Sequence, residues 1–353
     1  MTRPIVVSID QLSRPQPGGI ASYVHGLLRG LHDTSHHPTV VPLGPSSAIA
    51  ALEPELRRHA RAVPSWQLRG WRYRPFGAPS GAAVVHATSM MGPFGGGDIV
   101  SVALHDLLWR DVPEATTPRG VRFHEQRLQY ILGREDIRLL TVSPLLPPRL
   151  RALGVPSERI FPVRLGVDES TVTPASPERV REVLAAAGVH GPFTLHAGTR
   201  EPRKNTQRLV RAHATAVHQH RELGPLVFVG PDGWGAAPTG NAVVLGMVDR
   251  DVLLGLYRDA MAVAYVPLAE GFGLPPVEAL RAGARVVASN TCPSVADNTE
   301  VVLVDPLDEG AIADGLITAL ALRDDEHIRA RRTQSVADYS WANCAEDHLR
   351  AWS

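Results

Sequence analysis

The chain has 353 residues, too many for one ordinary domain, so two domains of about 170 residues each are the natural expectation. Apolar residues make up 44% and charged residues 20%, which excludes a disordered chain. The formal net charge of zero excludes a dedicated nucleic-acid binder, although residues 1–170 carry 19 arginines against 14 acids, a net +5 that the remainder balances with −5. Two cysteines, Cys292 and Cys344, give neither a disulfide framework nor a zinc ligand set. No apolar run reaches the ~18 residues of a membrane span. The first residues enter a strand without a signal-peptide core, so the expectation is a cytoplasmic protein.

In chain order, strand-like runs occur at Ile5–Ile9, Val84–His86, Ile99–Leu104 and Leu139–Val142, then at Phe193–Ala197, Leu226–Val229, Ala242–Leu245, Met261–Val266 and Arg285–Ala288. They alternate with amphipathic helical runs. Such alternation predicts parallel sheets covered by helices on both faces, hence two doubly wound domains that bind ligands at the carboxyl ends of their strands. Pro17-Gly18-Gly19-Ile20 follows the first strand. It is not G-x-G-x-x-G and no ribose-binding acid stands at the proper offset, which counts against a nicotinamide-dependent oxidoreductase. Trp66-Gln-Leu-Arg69-Gly-Trp71-Arg72-Tyr73-Arg74 follows Arg57, Arg58 and Arg61. Residues 57–74 read either as a peripheral contact with anionic lipid or as a solvated loop over the first domain. His86, at a strand end, reads either as lining an acceptor cleft or as a satisfied structural histidine. Leu165-Gly-Val-Asp168 precedes a Ser/Thr/Pro-rich stretch, placing the domains at 1–168 and 169–339.

The second half carries the chemistry. Lys204 is the only lysine in the chain. It stands in Gly198-Thr-Arg-Glu-Pro-Arg203-Lys204-Asn205, between a strand and a helical run from Thr206 to about His220. Arg203 as a planar fork and Lys204 as a point charge suit a diphosphate at a helix start; Asn205 as an ordinary N-cap is the plainer alternative. His196 reads as structural at least as well as functional. Asp249-Arg-Asp251 spells a metal-binding D-x-D but precedes the helical run Val252–Asp259, so Asp249 reads as an N-cap and Asp251 as a dipole partner. Glu270-Gly-Phe-Gly-Leu-Pro-Pro-Val-Glu278 is a strand-to-helix turn, with one carboxylate at the strand end and one in the first helical turn. Amides of Gly271, Phe272, Gly273 and Leu274 at a helix N-terminus suit a phosphate, and flanking carboxylates suit sugar or ribose hydroxyls. An ordinary loop with Glu278 compensating the helix dipole remains open at this point. Ser340-Trp-Ala-Asn-Cys-Ala-Glu-Asp-His-Leu-Arg-Ala-Trp352 reads as a terminal helix, and residues 340–353 are expected to pack back on the first domain.

Taken in order, these segments resemble retaining glycosyltransferases of the GT-B fold, family 4. Pro17-Gly18-Gly19-Ile20-Ala-Ser-Tyr23 resembles the family's glycine loop, Leu104-His105-Asp106-Leu107 its His-Asp motif, and Thr141-Val-Ser143 its serine strand end. Leu165-Gly-Val-Asp168 resembles the interdomain N-G-V-D with Leu165 for the usual Asn. The Arg203-Lys204-Asn205 turn, Leu245-Gly-Met-Val248 and the two-glutamate loop complete the set.

The resemblance implies two doubly wound, Rossmann-like domains facing a central cleft, and a metal-independent hexosyl transfer from a nucleoside-diphosphate sugar to a hydroxyl acceptor, which would be lipid-linked at the membrane's inner face if residues 57–74 contact lipid. No cofactor or metal is expected. Arg203 and Lys204 would bind the diphosphate, Glu278 the ribose and Glu270 the transferred sugar. Amides from Phe272 to Leu274 would complete the phosphate contacts, with Gly198, Gly271 and Gly19 also at the donor. Val248 would border the base and His105 the sugar; Glu270, His105, Arg203 and Lys204 form the expected catalytic set. Relatives with the Glu-Pro-Arg-Lys-Asn turn lean the donor to GDP-mannose. Cys292-Pro-Ser-Val295 departs from the family's Pro-Glu pair. A non-catalytic scaffold subunit is the alternative.

Overall fold

The structure, a computed structural model, describes residues 3–14, 18–73, 81–167, 173–233 and 242–353, without the side chains of residues 65, 69, 72 and 73. Pro17, Arg74 and Asp168, and the side chains of Arg69 and Arg72, lie outside the described residues. The chain divides into two compact units, Met1–Gly166 with Asp338–Ser353, and Val167–Ala337.

The first unit carries a parallel sheet of β1 (Ile5–Ser8), β2 (Val40–Gly44), β3 (Arg61–Ala62), β4 (Ala82–Ala87), β5 (Gly97–Leu104), β6 (Ile137–Thr141) and β7 (Ile160–Pro162), in the order β3-β2-β1-β4-β5-β6-β7. The second carries β8 (Thr194–Ala197), β9 (Leu226–Val229), β10 (Ala242–Gly246), β11 (Ala262–Tyr265), β12 (Val286–Ser289) and β13 (Val301–Val304), in the order β10-β9-β8-β11-β12-β13. Central strands such as Ile5-Val-Val-Ser8 and Leu226-Val-Phe-Val229 are buried along their whole length, which is why they read as unbroken apolar runs. Four strands were not legible: β2 contains a proline, β3 and β7 are short, and β13 lies at a sheet edge.

Both sheets reverse strand order once, between β1 and β4 and between β8 and β11. Doubly wound sheets take their ligands beyond the strands' carboxyl ends at such a reversal.

The last helix, Trp341–Ala351, packs on the helix Gly18–Asp33 of the first unit. Ser340 caps it by accepting from the Asn343 amide at 3.1 Å. The indole of Trp341 sits against Gly26: a Cβ built there would lie 2.0 Å from the ring. A buried chain of hydrogen bonds continues the seal. Trp352 Nε1 donates to Ser101 Oγ at 2.9 Å, and Ser101 bonds His86 Nδ1 at 2.9 Å. Tyr23 Oη lies 2.7 Å from both His86 Nε2 and His348 Nε2. His348 Nδ1 must donate to the Cys344 carbonyl, 2.7 Å away, so its Nε2 accepts from Tyr23 and His86 Nε2 donates to Tyr23. Every member is satisfied with neutral rings. Burial pushes His86 well down and His348 to about 4. His86 is therefore a structural histidine.

The basic, aromatic stretch is corrected in one respect. Trp71 is 1% exposed and packs with Val6, Leu43 and Val85, so it belongs to the core, whereas Trp66 is 68% exposed. Among the described residues no helix is long and apolar enough to cross a membrane.

Gly26→Ala should test the seal of the last helix. Alanine gains about 1 kcal/mol of helix propensity, but its methyl must displace the Trp341 ring, and overpacking costs about 1–3 kcal/mol. The expected result is a lower urea midpoint; a midpoint at or above that of the wild type would refute the close packing.

Candidate active site

The second reversal point gathers most of the expected donor residues. β8 ends at Ala197 and Gly198 follows with φ +150°. The chain then makes a 3-10 turn, Pro202–Lys204, before the helix Thr206–Gln219. Asn205 stands at that helix's N-cap position but in the left-handed region, φ +60°, and its side chain does not cap. Instead its Nδ2 donates to the carbonyls of Val266 at 3.0 Å and Pro306 at 2.7 Å. It ties the cationic turn to the carboxyl end of β11.

Glu270 follows β11 and lies between the two cations. Arg203 donates to its Oε1 at 2.8 Å and to the Ala269 carbonyl at 2.9 Å, and also pairs with Glu201. Lys204 Nζ reaches Glu270 Oε2 at 2.5 Å and also donates to Tyr265 Oη. Tyr265 in turn donates to the same Oε2. The Glu270, Arg203 and Lys204 side chains are 11%, 14% and 11% exposed. Burial alone would push the Glu270 carboxyl up, but Lys204 and Arg203 overcome it and hold it at about 2. Arg203 is raised in the same way, burial being outweighed by Glu270 and Glu201.

The loop after Glu270 is fixed from behind. Gly273 has φ +94°, and a Cβ there would lie 2.4 Å from Cys292 Sγ, so only glycine fits. Ser294 donates its amide to Phe272 O at 3.0 Å and its hydroxyl to Gly273 O at 2.6 Å. Ser294 thus occupies the region where the family's glutamate was missed in the sequence, and braces the loop's backbone. The helix Leu274–Arg281 begins here. Pro275 and Pro276 carry no N–H, so its first turn offers an anion fewer donors than the sequence reading allowed.

Glu278 requires a correction. The helix starts at Leu274 and has no acid in its first turn; Glu278 lies in the second, away from the dipole's strongest end. Its two oxygens are engaged by Arg250 at 2.8 Å and by the Tyr257 hydroxyl at 3.0 Å. Asp249 stands at the N-cap position of the helix Arg250–Asp259, but its side chain makes no capping bond. Val248, just before it, is half-buried. Among the described residues no group of three His, Cys, Asp or Glu side chains could hold a metal ion.

His196 is fully buried and stacks on Tyr265, rings 5.9 Å apart at 16°. Its Nδ1 donates to the Ala264 carbonyl at 2.9 Å, and its Nε2 has no partner among the described residues. Burial, reinforced by Lys204, pushes it down to about 4.

Gly19 and His105 belong to the first unit. Gly18-Gly19-Ile20 forms the first turn of the helix Gly18–Asp33 rather than a loop, and Gly19 is exposed. His105 follows β5, its Nε2 donating to the Thr88 carbonyl at 2.8 Å with Tyr23 edge-on at 5.1 Å. That bond fixes the tautomer and leaves Nδ1 as an acceptor. Burial lowers the ring's pKa, partly offset by the Thr88 bond.

Sequence reasoning missed Tyr265, Arg250, Tyr257 and Ser294. A tyrosine closing the apolar run Ala262-Val-Ala-Tyr265 was a usable signal, because a buried phenol needs a partner. Arg250 was passed over inside the D-x-D pattern.

Residues 191–321 match the family described as glycosyl transferases group 1. The chain is 30% identical over 265 residues to the O-antigen chain mannosyltransferase B of Escherichia coli, covering 70% of this chain and 68% of that protein. It is 28% identical over 210 residues to the serotype-specific mannosyltransferase WbdA of Escherichia coli, covering 54% of this chain but only 25% of that protein. Among solved structures, Anabaena HepE in complex with UDP and glucose superposes with a TM-score of 0.73 at 14% identity, covering 99% and 98% of the two chains. That likeness shows the fold, two Rossmann-like domains of GT-B type.

His196 gives an acid-stability expectation. Its folded pKa, about 4, lies below the ordinary value of 6.5, so the unfolded chain binds more protons between those limits. Its contribution is present above 6.5 and lost as pH falls towards 4. His196→Phe, which keeps the stacked ring, should make the loss of stability between pH 6.5 and 4 shallower; an unchanged slope in urea titrations would refute the neutral histidine.

Proposed function

The chain belongs to the glycosyl transferases group 1 family, a family of glycosyltransferases, and on that premise we propose that it is a retaining, metal-independent transferase moving a hexose from a nucleoside-diphosphate sugar to a hydroxyl. The observation that carries this reading is the Arg203–Lys204–Glu270 cluster at the reversal point of the second sheet. A diphosphate entering there meets two fixed cations. Glu270, released from them, faces the sugar hydroxyls as an acceptor.

In the proposed reaction the anomeric C–O bond to the diphosphate breaks and a bond from the acceptor oxygen forms on the same face. The acceptor's proton passes to the departing phosphate oxygen. Arg203 and Lys204 stabilise the charge that develops there, and each preorganised donor of this kind is worth about 3 kcal/mol in a transition state. Glu270 is a sugar-binding and electrostatic group rather than a covalent nucleophile. Glu278, held by Arg250 and Tyr257, is aligned for a ribose hydroxyl, and Val248 borders the base. Amides from Gly271 to Leu274, with Gly198, complete the donor site; Gly19 and His105 act from the first domain.

The Escherichia coli mannosyltransferases support GDP-mannose as the donor, while the UDP and glucose of Anabaena HepE make the base the first thing to measure. The name of the first relative supports a glycan acceptor, lipid-linked in the fullest form of the reading. Such an acceptor fits a cytoplasmic enzyme touching the membrane's inner face through residues 57–74.

Thermal shifts with GDP, UDP, dTDP and ADP test the donor site. One diphosphate at about a hundred times its dissociation constant should add ~2.7 kcal/mol. EDTA should leave the gain unchanged, Lys204→Ala should reduce it, and Glu270→Gln should keep it while abolishing transfer. Stabilisation by none of them, or only with a divalent ion, would refute the reading.

The membrane contact has its own check. Trp66→Ala combined with Arg58→Ala and Arg61→Ala, all exposed positions, should weaken flotation with anionic liposomes. Flotation equal to that of the wild type would remove the contact.

A further inference from the structure

We propose that Tyr265 is a positioning residue for sugar transfer, its hydroxyl keeping the Glu270 carboxylate in place when a nucleoside diphosphate engages Arg203 and Lys204. The inference rests on the donor-site reading above.

Glu270 receives four hydrogen bonds: from Arg203, Lys204, the Tyr265 hydroxyl and, at 3.3 Å, the Gly271 amide. Two of these donors are cations. A diphosphate brings at least two negative charges into the same partly buried space and competes for both. The other two donors are neutral and have no reason to follow it. Of those, the Gly271 amide is long, so the Tyr265 hydroxyl is the firm hold that remains.

Tyr265 is built to stay where it is. It is the last residue of β11 and 1% exposed. Its ring stacks on His196, which is pinned in turn by the Ala264 carbonyl. The charged and titratable groups facing it are Glu270, Lys204, Arg203, His196 and Cys292. Burial, together with Glu270 and Cys292, raises its pKa well above the ordinary value, so it remains a donor. A neutral donor also leaves the charge of Glu270 intact for the sugar, which a third cation would not.

Removing this hydroxyl should therefore act on turnover more than on diphosphate binding. Hydrogen bonds to charged groups are worth about a tenfold to hundredfold change in an equilibrium or rate. Wild type, Tyr265→Phe and Lys204→Ala would be compared as full chains. The readouts are thermal stabilisation by the nucleoside diphosphate that binds wild type, and kcat and KM for the matching sugar nucleotide, beginning with GDP-mannose and UDP-glucose.

Tyr265→Phe should keep the stabilisation, hold KM within a few fold and lower kcat roughly tenfold to hundredfold. A kcat within about twofold of wild type, with the Lys204→Ala effect intact, overturns this inference alone. Parallel loss of binding and turnover also overturns it, by making Tyr265 merely structural. Absence of any stabilisation in the wild type overturns the donor-site reading, and this inference with it. 4-Fluorophenylalanine at position 265, which nearly keeps the shape of the phenol, covers a phenylalanine variant that does not fold. Because it lacks a proton to donate, it too should keep the stabilisation and lower kcat roughly tenfold to hundredfold; a kcat within about twofold of wild type overturns the proposal.

Discussion

Glu201, Arg203, Lys204 and Glu270 place two negative and two positive charges where each side chain is only 10–14% exposed. Desolvating four charges costs several kcal/mol apiece, and their mutual attraction returns that only when every lone pair and proton is met. Here Ala269 O, Tyr265 Oη and the Gly271 amide add further hydrogen bonds to the four charges. An apolar cluster of similar volume would hold the same strands together at no electrostatic cost. The proposed handling of a diphosphate rests on these charges, and the local fold is arranged to keep them at one point. Asn205 anchors the cationic turn to β11, and Ser294 and Cys292 brace the loop that follows the carboxylate.

Protonation is equally constrained at the carboxyl end of the second unit's sheet. Positive charge is concentrated in Arg203 and Lys204, and the neighbouring His196 is kept neutral by burial. Cys292, beneath the glycine loop, is pushed up to about 12 by burial and behaves as a small apolar filler rather than a nucleophile. The histidine, cysteine and tyrosine beside the carboxylate are each held in the neutral form at neutral pH.

The architecture was legible because both sheets are parallel and their central strands are apolar along their whole length, as in Leu226–Val229. Strands escaped notice where proline or brevity broke the pattern, as in Val40–Gly44 and Arg61–Ala62. The charged members of the site were legible as well, since Arg203, Lys204, Glu270 and Glu278 stand in short glycine- and proline-marked turns. What sequence did not disclose were the partners each one takes. Tyr265 and Tyr257 sit inside apolar runs and look like core, and Arg250 lies between two aspartates. Glu278 was placed one turn too early, because the helix begins at Leu274 and two prolines follow. Pairing across elements depends on which strands become neighbours, and β8 beside β11 is a product of topology rather than of local pattern.

The first unit is discontinuous: residues 338–353 complete it only after the chain has run through Val167–Ala337. Tyr23 and His348, which share a hydrogen bond, are 325 positions apart in the chain. During synthesis the ribosome delivers the second unit whole and in one stretch, while the first waits with Gly26, Gly30 and the Tyr23–His86 pair uncovered. The earlier-made unit is therefore the later to be finished, and it spends that interval with an open apolar groove that a chaperone, or a second nascent chain, can reach.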